Sequence, residues 1–218
     1  MSILGNNLLA QYYAQQNMSL PKEYMAVEYI SSNSNQRIDT QFRATERTKA
    51  VVDLKMNVLG TWVFGSRNND TATLATDSFC LFPYSNGNIF APIGRGFPTI
   101  EASFDTKRHI VEMSLYSGVV LDGILVHEYT QTQKEYTFSS TYPWALFTMR
   151  MGQVYNNYMS GRIYRFYCLE NSLRVCDFVP CVRKLDNKPG MYDLCKSICP
   201  LTGTPFYINA GTGEFVTP

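Results

Sequence analysis

Aromatic side chains next to amides are the residues of this chain with the best chemistry for holding a ligand. Tyr155, Asn156, Asn157 and Tyr158 follow one another in a segment that is predicted to be a loop. An aromatic ring can stack on the apolar face of a sugar, while neighbouring amides fix the sugar hydroxyls. The segment is therefore a candidate sugar-binding site, although a purely structural role stays open.

Three further aromatic residues, Trp62, Tyr84 and Trp144, have the same chemistry. Both tryptophans fall at the start of predicted strands, which favours a place in the hydrophobic core for their rings. The sequence alone does not show whether these residues converge with the Tyr-Asn-Asn-Tyr segment.

Acidic residues that could cleave a glycosidic bond are scattered singly along the chain. Most glycosidases need two carboxyl groups, one protonated and one ionised, on either side of the bond. The acids considered are Glu101, Asp105, Glu112, Asp122 and Glu128. Because no closely spaced cluster occurs, we expect a protein that is not an enzyme, although two carboxylates could still converge in space.

The sequence predicts neither a metal site nor a cofactor. The six cysteines are Cys80, Cys168, Cys176, Cys181, Cys195 and Cys199. They form no CxxC pair and have no neighbouring histidine, so zinc is not expected. We predict reduced thiols that behave as small buried apolar groups, with a Cys195–Cys199 pair as the alternative. The two histidines, His109 and His127, lie on predicted strands and are expected to face solvent or to be satisfied core residues.

Composition favours one large β domain. The chain has 218 residues, of which 45% are hydrophobic and 17% charged, so a sizeable core can form. The 15 tyrosines and 13 phenylalanines favour strands. A net charge of +1 provides no basic field for nucleic acid. No apolar run is long enough for membrane insertion.

Alternating apolar and polar residues predict many short strands. The clearest case places Ala50, Val52, Leu54 and Met56 on one buried face. Other strands are predicted at 37–42, 60–64, 78–82, 109–115, 145–151, 162–168 and 173–178. Asp122-Gly123 predicts a hairpin turn within 119–126, and Asn171-Ser172 predicts a second reversal. Segments 66–77 and 130–142 are expected to be exposed loops. The pattern is typical of an all-β, antiparallel two-sheet sandwich.

Residues 1–22 differ from the rest and are predicted to form a short N-terminal helix or arm, with the sandwich spanning 23–218. Apolar residues recur there at helical spacing until Pro21 ends the pattern. They are Leu4, Leu8, Leu9, Tyr12 and Tyr13. We expect this stripe to bind another subunit, and the alternative is a helix folded back on its own sandwich. The segment lacks the basic start and apolar core of a secretory signal peptide.

The order of motifs from Val27 to the end closely resembles a concanavalin A-like (LamG-like) jelly-roll domain. Upstream motifs are Glu28-Tyr-Ile30, Arg37-Ile-Asp-Thr-Gln-Phe42, Phe64-Gly-Ser-Arg67 and Gly161-Arg-Ile-Tyr-Arg-Phe166. The C-terminal motifs are Arg174-Val-Cys-Asp-Phe-Val-Pro180, Gly190-Met-Tyr-Asp-Leu194 and Asn209-Ala-Gly-Thr-Gly-Glu-Phe215. Such domains are frequent in virion proteins of phages and prophages and in surface proteins of gut bacteria. The resemblance is specific for the fold and weak on function.

The resemblance implies a non-enzymatic bacteriophage structural protein of tail, baseplate or head, part of an oligomeric assembly. It would be made in the host cytoplasm, join other virion proteins through the arm and bind host surface glycans. Two alternatives stay open, a bacterial carbohydrate-binding module and a glycoside hydrolase. Hydrolases of this fold carry closely spaced acids of the type Glu-x-Asp-x-Glu on one strand, and this chain has no such triplet.

Overall fold

The computed structural model describes residues 19–68, 77–195 and 205–218. Within these ranges two sheets pack against each other into a β-sandwich, with one short helix. The all-β, antiparallel two-sheet fold predicted from the alternating pattern is therefore confirmed.

The first sheet contains eight successive hydrogen-bonded strands within the described ranges. In spatial order they are β12 (Ile124–His127), β11 (Gly118–Leu121), β10 (Arg108–Ser114), β4 (Thr48–Met56), β16 (Ser160–Glu170), β17 (Leu173–Arg183), β18 (Lys188–Asp193) and β19 (Phe206–Ile208). Two short strands extend it, because β1 (Tyr24–Ala26) pairs with β17 and β2 (Ile30–Asn33) pairs with β16.

The second sheet is built from shorter strands. Its main path runs through β15 (Val154–Asn156), β14 (Met149–Met151), β5 (Phe64–Arg67), β6 (Ser78–Pro83), β7 (Ile89–Phe90) and β9 (Thr99–Ile100). Beside this path, β13 (Ala145–Leu146) pairs with β3 (Ile38–Asp39) and β5, and β8 (Ile93–Gly94) pairs with β6. The pairs are antiparallel except β14 with β5.

The core lies between the sheets. Ala50, Val52, Leu54 and Met56 of β4 are at most 1% exposed, which confirms the predicted register. Aromatic rings from both sheets pack there in tilted or edge-to-face pairs, an arrangement that the ring quadrupoles favour over a face-to-face sandwich. Ring centroids lie 4.7 Å apart for Phe79 and Trp144, 5.2 Å for Phe64 and Trp144, and 5.0 Å for Phe64 and Phe166.

Two buried aspartates explain two of the C-terminal motifs. Asp177 is 1% exposed and accepts two hydrogen bonds from the Arg165 guanidinium, at 2.9 and 2.7 Å, and one from Arg174 at 2.8 Å. Asp193, also 1% exposed, accepts from the backbone N–H groups of Asp177 at 2.9 Å and Cys195 at 3.1 Å. These pairings satisfy buried charge, so both acids are structural.

The last motif closes the C-terminus onto the loop before β3. Asn209 Oδ1 accepts from the backbone N–H of Arg37 at 2.9 Å, and Asn209 Nδ2 donates to the Gly213 carbonyl at 2.7 Å. A Cβ on Gly211 would lie 2.0 Å from the Asn35 carbonyl oxygen, so this close approach requires glycine. The motif therefore fixes the backbone of Arg37.

The two predicted hairpin turns are confirmed. Asp122 and Gly123 have φ of 51° and 83°, and Asn171 and Ser172 have φ of 49° and 66°. Consecutive positive φ values are typical of the type I′ turn, whose twist matches that of the strands.

Several predicted element bounds are wrong. The strand expected at 37–42 is limited to Ile38–Asp39, and β5 begins at Phe64 rather than at 60. The strand expected at 145–151 is split, because Phe147 has φ of 66° and turns the chain. The loop expected at 130–142 contains α1 (Gln131–Lys134), which Thr130 caps. Phe138 and Ser140 in the same segment are buried, at 7% and 2% exposure.

The predicted arm residues Leu4, Leu8, Leu9, Tyr12 and Tyr13 lie outside the described residues. Leu20 packs on a small apolar cluster of β17, β18 and β19 that includes Tyr192 and Phe206. The sandwich therefore already contacts the chain at Leu20, two residues before the predicted boundary at residue 22.

Candidate functional site

The second sheet brings most of the predicted ligand-binding residues together around a pair of arginines. We call Arg37, Asp39, Arg150, Tyr155 and Tyr158 the arginine–tyrosine cluster. The Arg37 guanidinium carbon lies 3.8 Å from the centre of the Tyr155 ring. Arg37 Nε donates to Asp39 Oδ1 at 3.0 Å, and Arg37 Nη1 donates to the Tyr158 hydroxyl at 3.2 Å. One guanidinium thus contacts a carboxylate and two tyrosines.

Local structure explains why these side chains meet. Arg37 and Asp39 flank Ile38, whose side chain is fully buried, so both point away from the core. The hairpin of β14 and β15 places Arg150 opposite Tyr155. The Arg150 guanidinium lies 5.9 Å from the Tyr155 ring centre and 5.2 Å from that of Tyr142. Asp39, Arg150 and Tyr155 therefore lie on strands, while Arg37 and Tyr158 lie beside strand ends.

The Tyr155–Tyr158 segment is correspondingly not the loop that was predicted. Tyr155 and Asn156 belong to β15, and Asn157 makes the turn after it with φ of 46°. Tyr155 and Tyr158 are half-buried, while Asn156 and Asn157 are exposed. The two amides follow Tyr155 directly in the chain, and their exposure leaves their donors and acceptors open to solvent.

Electrostatics in the cluster favour a neutral tyrosine and a charged arginine. Partial burial raises the pKa of Tyr155, and the charge of Asp39 adds to this increase. Partial burial is the largest single influence on Arg37 and lowers its pKa, but the hydrogen bonds and charge interactions with Asp39 and Tyr158 together outweigh burial and raise the pKa. The cluster thus combines a guanidinium donor, a carboxylate acceptor and two phenol rings. Such a set can fix sugar hydroxyls by hydrogen bonds.

An aromatic patch adjoins the cluster on the outer side of the second sheet. It consists of Trp62, Phe82, Tyr84, Phe90 and Phe97. Successive β6 residues alternate, so Phe79 and Leu81 enter the intersheet core while Cys80 and Phe82 join the separate outer cluster. Ring centroids lie 4.8 Å apart for Trp62 and Phe82, and 5.1 Å apart for Phe82 and Tyr84. Phe97 is 40% exposed.

Backbone hydrogen bonding connects the patch to the arginine–tyrosine cluster. The backbone N–H of Trp62 donates to the Asn157 carbonyl at 3.0 Å, and Trp62 forms an isolated β-bridge with Tyr158. Trp62 itself is 8% exposed and packs on Cys80 and Met149. Its ring therefore supports the surface, while Tyr84, half-buried, contributes a partly open ring.

Trp144 does not belong to this surface, contrary to its place among the ligand-binding candidates. It is 1% exposed and lies between the sheets against Phe64 and Phe79. A ring enclosed on all sides has no face for a sugar. The core interpretation that the sequence favoured for the tryptophans holds for Trp144.

Two of the scattered acids do converge, on a histidine. His109 Nδ1 lies 2.7 Å from Asp122 Oδ2, and His109 Nε2 lies 3.0 Å from Asp105 Oδ1. Hydrogen bonds from Lys107 are the main cause that lowers the pKa of Asp105 to about 2. A general acid in glycoside hydrolysis needs a raised pKa. His109, Asp105 and Asp122 form a hydrogen-bonded group that fixes the Asp122 turn. The lowered pKa of Asp105 is the opposite of the raised pKa that a general acid needs.

Burial raises the pKa values of the described cysteine thiols and places them among apolar packing groups. Cys80, Cys168, Cys176 and Cys181 are buried and Cys195 is half-buried, all with free thiols, while Cys199 lies outside the described residues. Burial raises the pKa of Cys181 to about 12 and also raises that of Cys80. These thiols are neutral near pH 7 and act as apolar packing groups. Among residues 19–68, 77–195 and 205–218, no three His, Cys, Asp or Glu side chains form a group suited to a metal ion.

Arg37, Asp39 and Arg150 were not among the site residues predicted from the sequence. The usable signal was the alternation in Arg37-Ile-Asp39, where a buried residue separates two charges on one strand face. Nothing in the sequence linked this strand to Tyr155, which lies more than one hundred positions later.

Neither a protein-family model nor a curated protein matches this chain. The part of the chain that the structure describes contains no helix long and apolar enough to cross a membrane.

Proposed function

We propose that the protein is a non-enzymatic structural protein of a bacteriophage virion. Its concanavalin A-like sandwich binds host surface glycans at the arginine–tyrosine cluster, and its N-terminal arm joins it to other virion proteins. The motif resemblance supports the family and the virion setting. The glycan site is proposed from the structure of the second sheet.

The observation that carries the glycan site is the Arg37 network. The side chain of Arg37 is 19% exposed and is held by Asp39, Tyr155 and Tyr158 at once. A guanidinium fixed in this way loses little entropy when a ligand binds. The exposed amides of Asn156 and Asn157 follow Tyr155 in the chain, and the partly open ring of Tyr84 lies on the adjoining patch. The aromatic ring suits the apolar face of a sugar, and the amides and carboxylate suit its hydroxyl groups.

A glycan panel with paired variants tests the site. We expect the wild-type protein to bind at least one class of bacterial surface glycan. The double variant Asn156→Ala/Asn157→Gly should lose this binding while keeping its melting temperature, since both side chains are exposed and glycine accepts the φ of 46° at position 157. Asn57→Ala is the matched control, because Asn57 is an exposed amide at the end of β4 in the first sheet. Equal binding by both variants and wild type would refute the site.

The same panel tests the hydrolase alternative, and a particle-assembly assay tests the carbohydrate-binding module. A glycoside hydrolase would release sugar, and the release would stop when a single carboxylate is replaced. A bacterial carbohydrate-binding module would bind glycans in the same way but would not join virus particles.

The proposed arm is tested by truncation. A chain beginning at Pro21 loses residues 1–20, including the Leu20 contact with the cluster around Tyr192. We expect it to fold with a slightly lower melting temperature and to fail to enter particles. A chain beginning at Ser19 keeps the Leu20 contact. Comparing the two chains therefore distinguishes the effect of losing that contact from the effect of losing the rest of the arm. Normal incorporation of both chains would place the attachment site elsewhere.

A further inference from the structure

A polar groove lies on the outer face of the first sheet, apart from the arginine–tyrosine cluster. Its volume is about 650 Å³, which falls in the usual range for ligand sites. The strand register places Ser114, Lys49, Leu169 and Arg174 side by side across β10, β4, β16 and β17. This row forms the floor of the groove.

Two tight turns raise the rims of the groove. On one side Ser114 Oγ accepts hydrogen bonds from the backbone of Tyr116 at 3.2 Å and Ser117 at 3.4 Å. Gly118 completes this turn with φ of 81°, and a Cβ there would lie 2.1 Å from the His127 carbonyl oxygen. On the other side stands the Asn171-Ser172 turn. Both rims are therefore fixed by backbone geometry.

Among the residues that the structure describes, the lining contains three cations and no carboxylate. These cations are Arg47, Lys49 and Arg174. Each contacts an acid outside the lining: Arg47 lies 3.4 Å from Glu46, Lys49 pairs with Glu112, and Arg174 donates to Asp177 at 2.8 Å. A guanidinium has five N–H donors and an ammonium three, so one ion pair each leaves Arg47 and Lys49 with donors for a ligand.

Aromatic rings complete the groove. Tyr167 lies beneath the Arg174 guanidinium, whose carbon is 4.3 Å from the ring centre. Tyr116 is 51% exposed at the rim, where its ring can stack on the apolar face of a sugar.

We propose that this groove binds an acidic sugar, a pyranose whose carboxylate contacts Lys49 and Arg47 while its ring packs on Tyr116. The proposal deepens the glycan-binding function proposed above and rests on it. It adds a second site with a different preference, for charged sugars rather than for neutral hydroxyl groups. Charge-assisted hydrogen bonds to a carboxylate are stronger than neutral ones, which gives the groove its discrimination.

The probes for this site are short oligomers of galacturonic acid, glucuronic acid and sialic acid. Each is paired with the same oligomer whose carboxylates have been reduced to neutral alcohols. Titration calorimetry with the full chain should show binding of at least one acidic oligomer, and binding of its neutral counterpart about tenfold weaker or worse. If no acidic oligomer binds, or if the neutral forms bind equally well, the proposal is wrong.

Variants assign the binding to the groove. Lys49→Gln and Arg47→Gln should each weaken acidic-oligomer binding about tenfold. The Arg47 side chain is 60% exposed, so its replacement should leave the fold intact. Lys107→Gln is the matched control, because Lys107 is an exposed cation paired with Asp105 at 3.1 Å outside the groove lining. Unchanged binding by both groove variants would overturn the assignment.

Arg37→Gln distinguishes failure of this proposal from failure of the glycan-binding function. If acidic oligomers bind and Arg37→Gln abolishes their binding, they occupy the arginine–tyrosine cluster, and only the groove proposal fails. If neutral glycans bind the cluster and no acidic oligomer binds the groove, again only the groove proposal fails. If no glycan binds anywhere, both proposals fail.

Discussion

The arginine–tyrosine cluster and the groove hold their cations in different ways. In the cluster the Arg37 side chain is 19% exposed and packs 3.8 Å from a tyrosine ring. In the groove the Arg47 side chain is 60% exposed, with an ion pair of 3.4 Å to Glu46. Ion pairs between exposed side chains contribute little and leave the side chain mobile. The cluster is thus suited to recognition by shape and the groove to recognition by charge.

Both surfaces depend on one core, and a core substitution gives the largest expected effect. Leu54 is fully buried between the sheets, and we expect Leu54→Ala to lower the free energy of unfolding by about 2–5 kcal/mol. Binding at both surfaces should then decline together as the protein is warmed. Denaturant unfolding measures the loss of stability. If one surface keeps its ligand after the other has lost it, the two do not share a cooperative scaffold.

Arg37→Gln tests whether the cluster is held together by its guanidinium. The change removes the stack on Tyr155 and the hydrogen bonds to Asp39 and Tyr158, and we expect neutral-glycan binding to fall about tenfold or more. Arg95→Gln is the matched control, since the Arg95 guanidinium carbon lies 4.4 Å from the centre of the Tyr136 ring, a pair that does not belong to the cluster. Titration calorimetry should show a loss for Arg37→Gln and none for Arg95→Gln. Equal losses would mean that the effect is not specific to the cluster.

Salt should separate the two surfaces with a smaller effect. Raising the ionic strength from about 0.05 M to about 0.5 M shortens the range of electrostatic forces below the spacing of exposed charges. We expect acidic-oligomer binding at the groove to weaken several-fold, while neutral-glycan binding at the cluster stays nearly constant. Calorimetric titrations at the two salt concentrations measure this. A stronger salt effect at the cluster would reverse the comparison.

The smallest expected effect concerns alkaline pH and Tyr155. Because burial raises its pKa, the folded protein holds the Tyr155 proton more tightly than the unfolded chain does. The resulting contribution to stability is complete below about pH 10 and is lost as the pH rises through the higher folded value. Comparing the ultraviolet phenolate titration of wild type and Tyr155→Phe isolates this group. If the missing phenol titrates at the ordinary value, the ring is solvated and the cluster is less enclosed than described.

The pattern of residues predicted the sandwich well, because local alternation and turn chemistry act within a few positions. The β4 register and both hairpin turns follow from neighbouring residues alone. The split at Phe147 could not be predicted, since a positive φ at a phenylalanine depends on tertiary packing against residues such as Phe215.

The same contrast holds for the two surfaces. Tyr155–Tyr158 could be selected because its aromatic and amide groups are contiguous in sequence. The groove floor takes one residue from each of four strands, and Ser114 and Lys49 meet only through the register. A single sequence does not contain that register. Arg37 and Asp39, which are the tertiary partners of Tyr155, were not predicted for the same reason.

The account depends most on glycan binding at the arginine–tyrosine cluster. A nuclear magnetic resonance titration with the best-binding neutral glycan tests it directly, by following side-chain N–H signals of Asn156, Asn157 and Arg37. We predict that these signals shift on titration, while the indole N–H signal of the buried Trp144 stays in place. If the glycan leaves the three signals unchanged, or moves those of Lys49 and Arg174 instead, the cluster is not the glycan-binding surface.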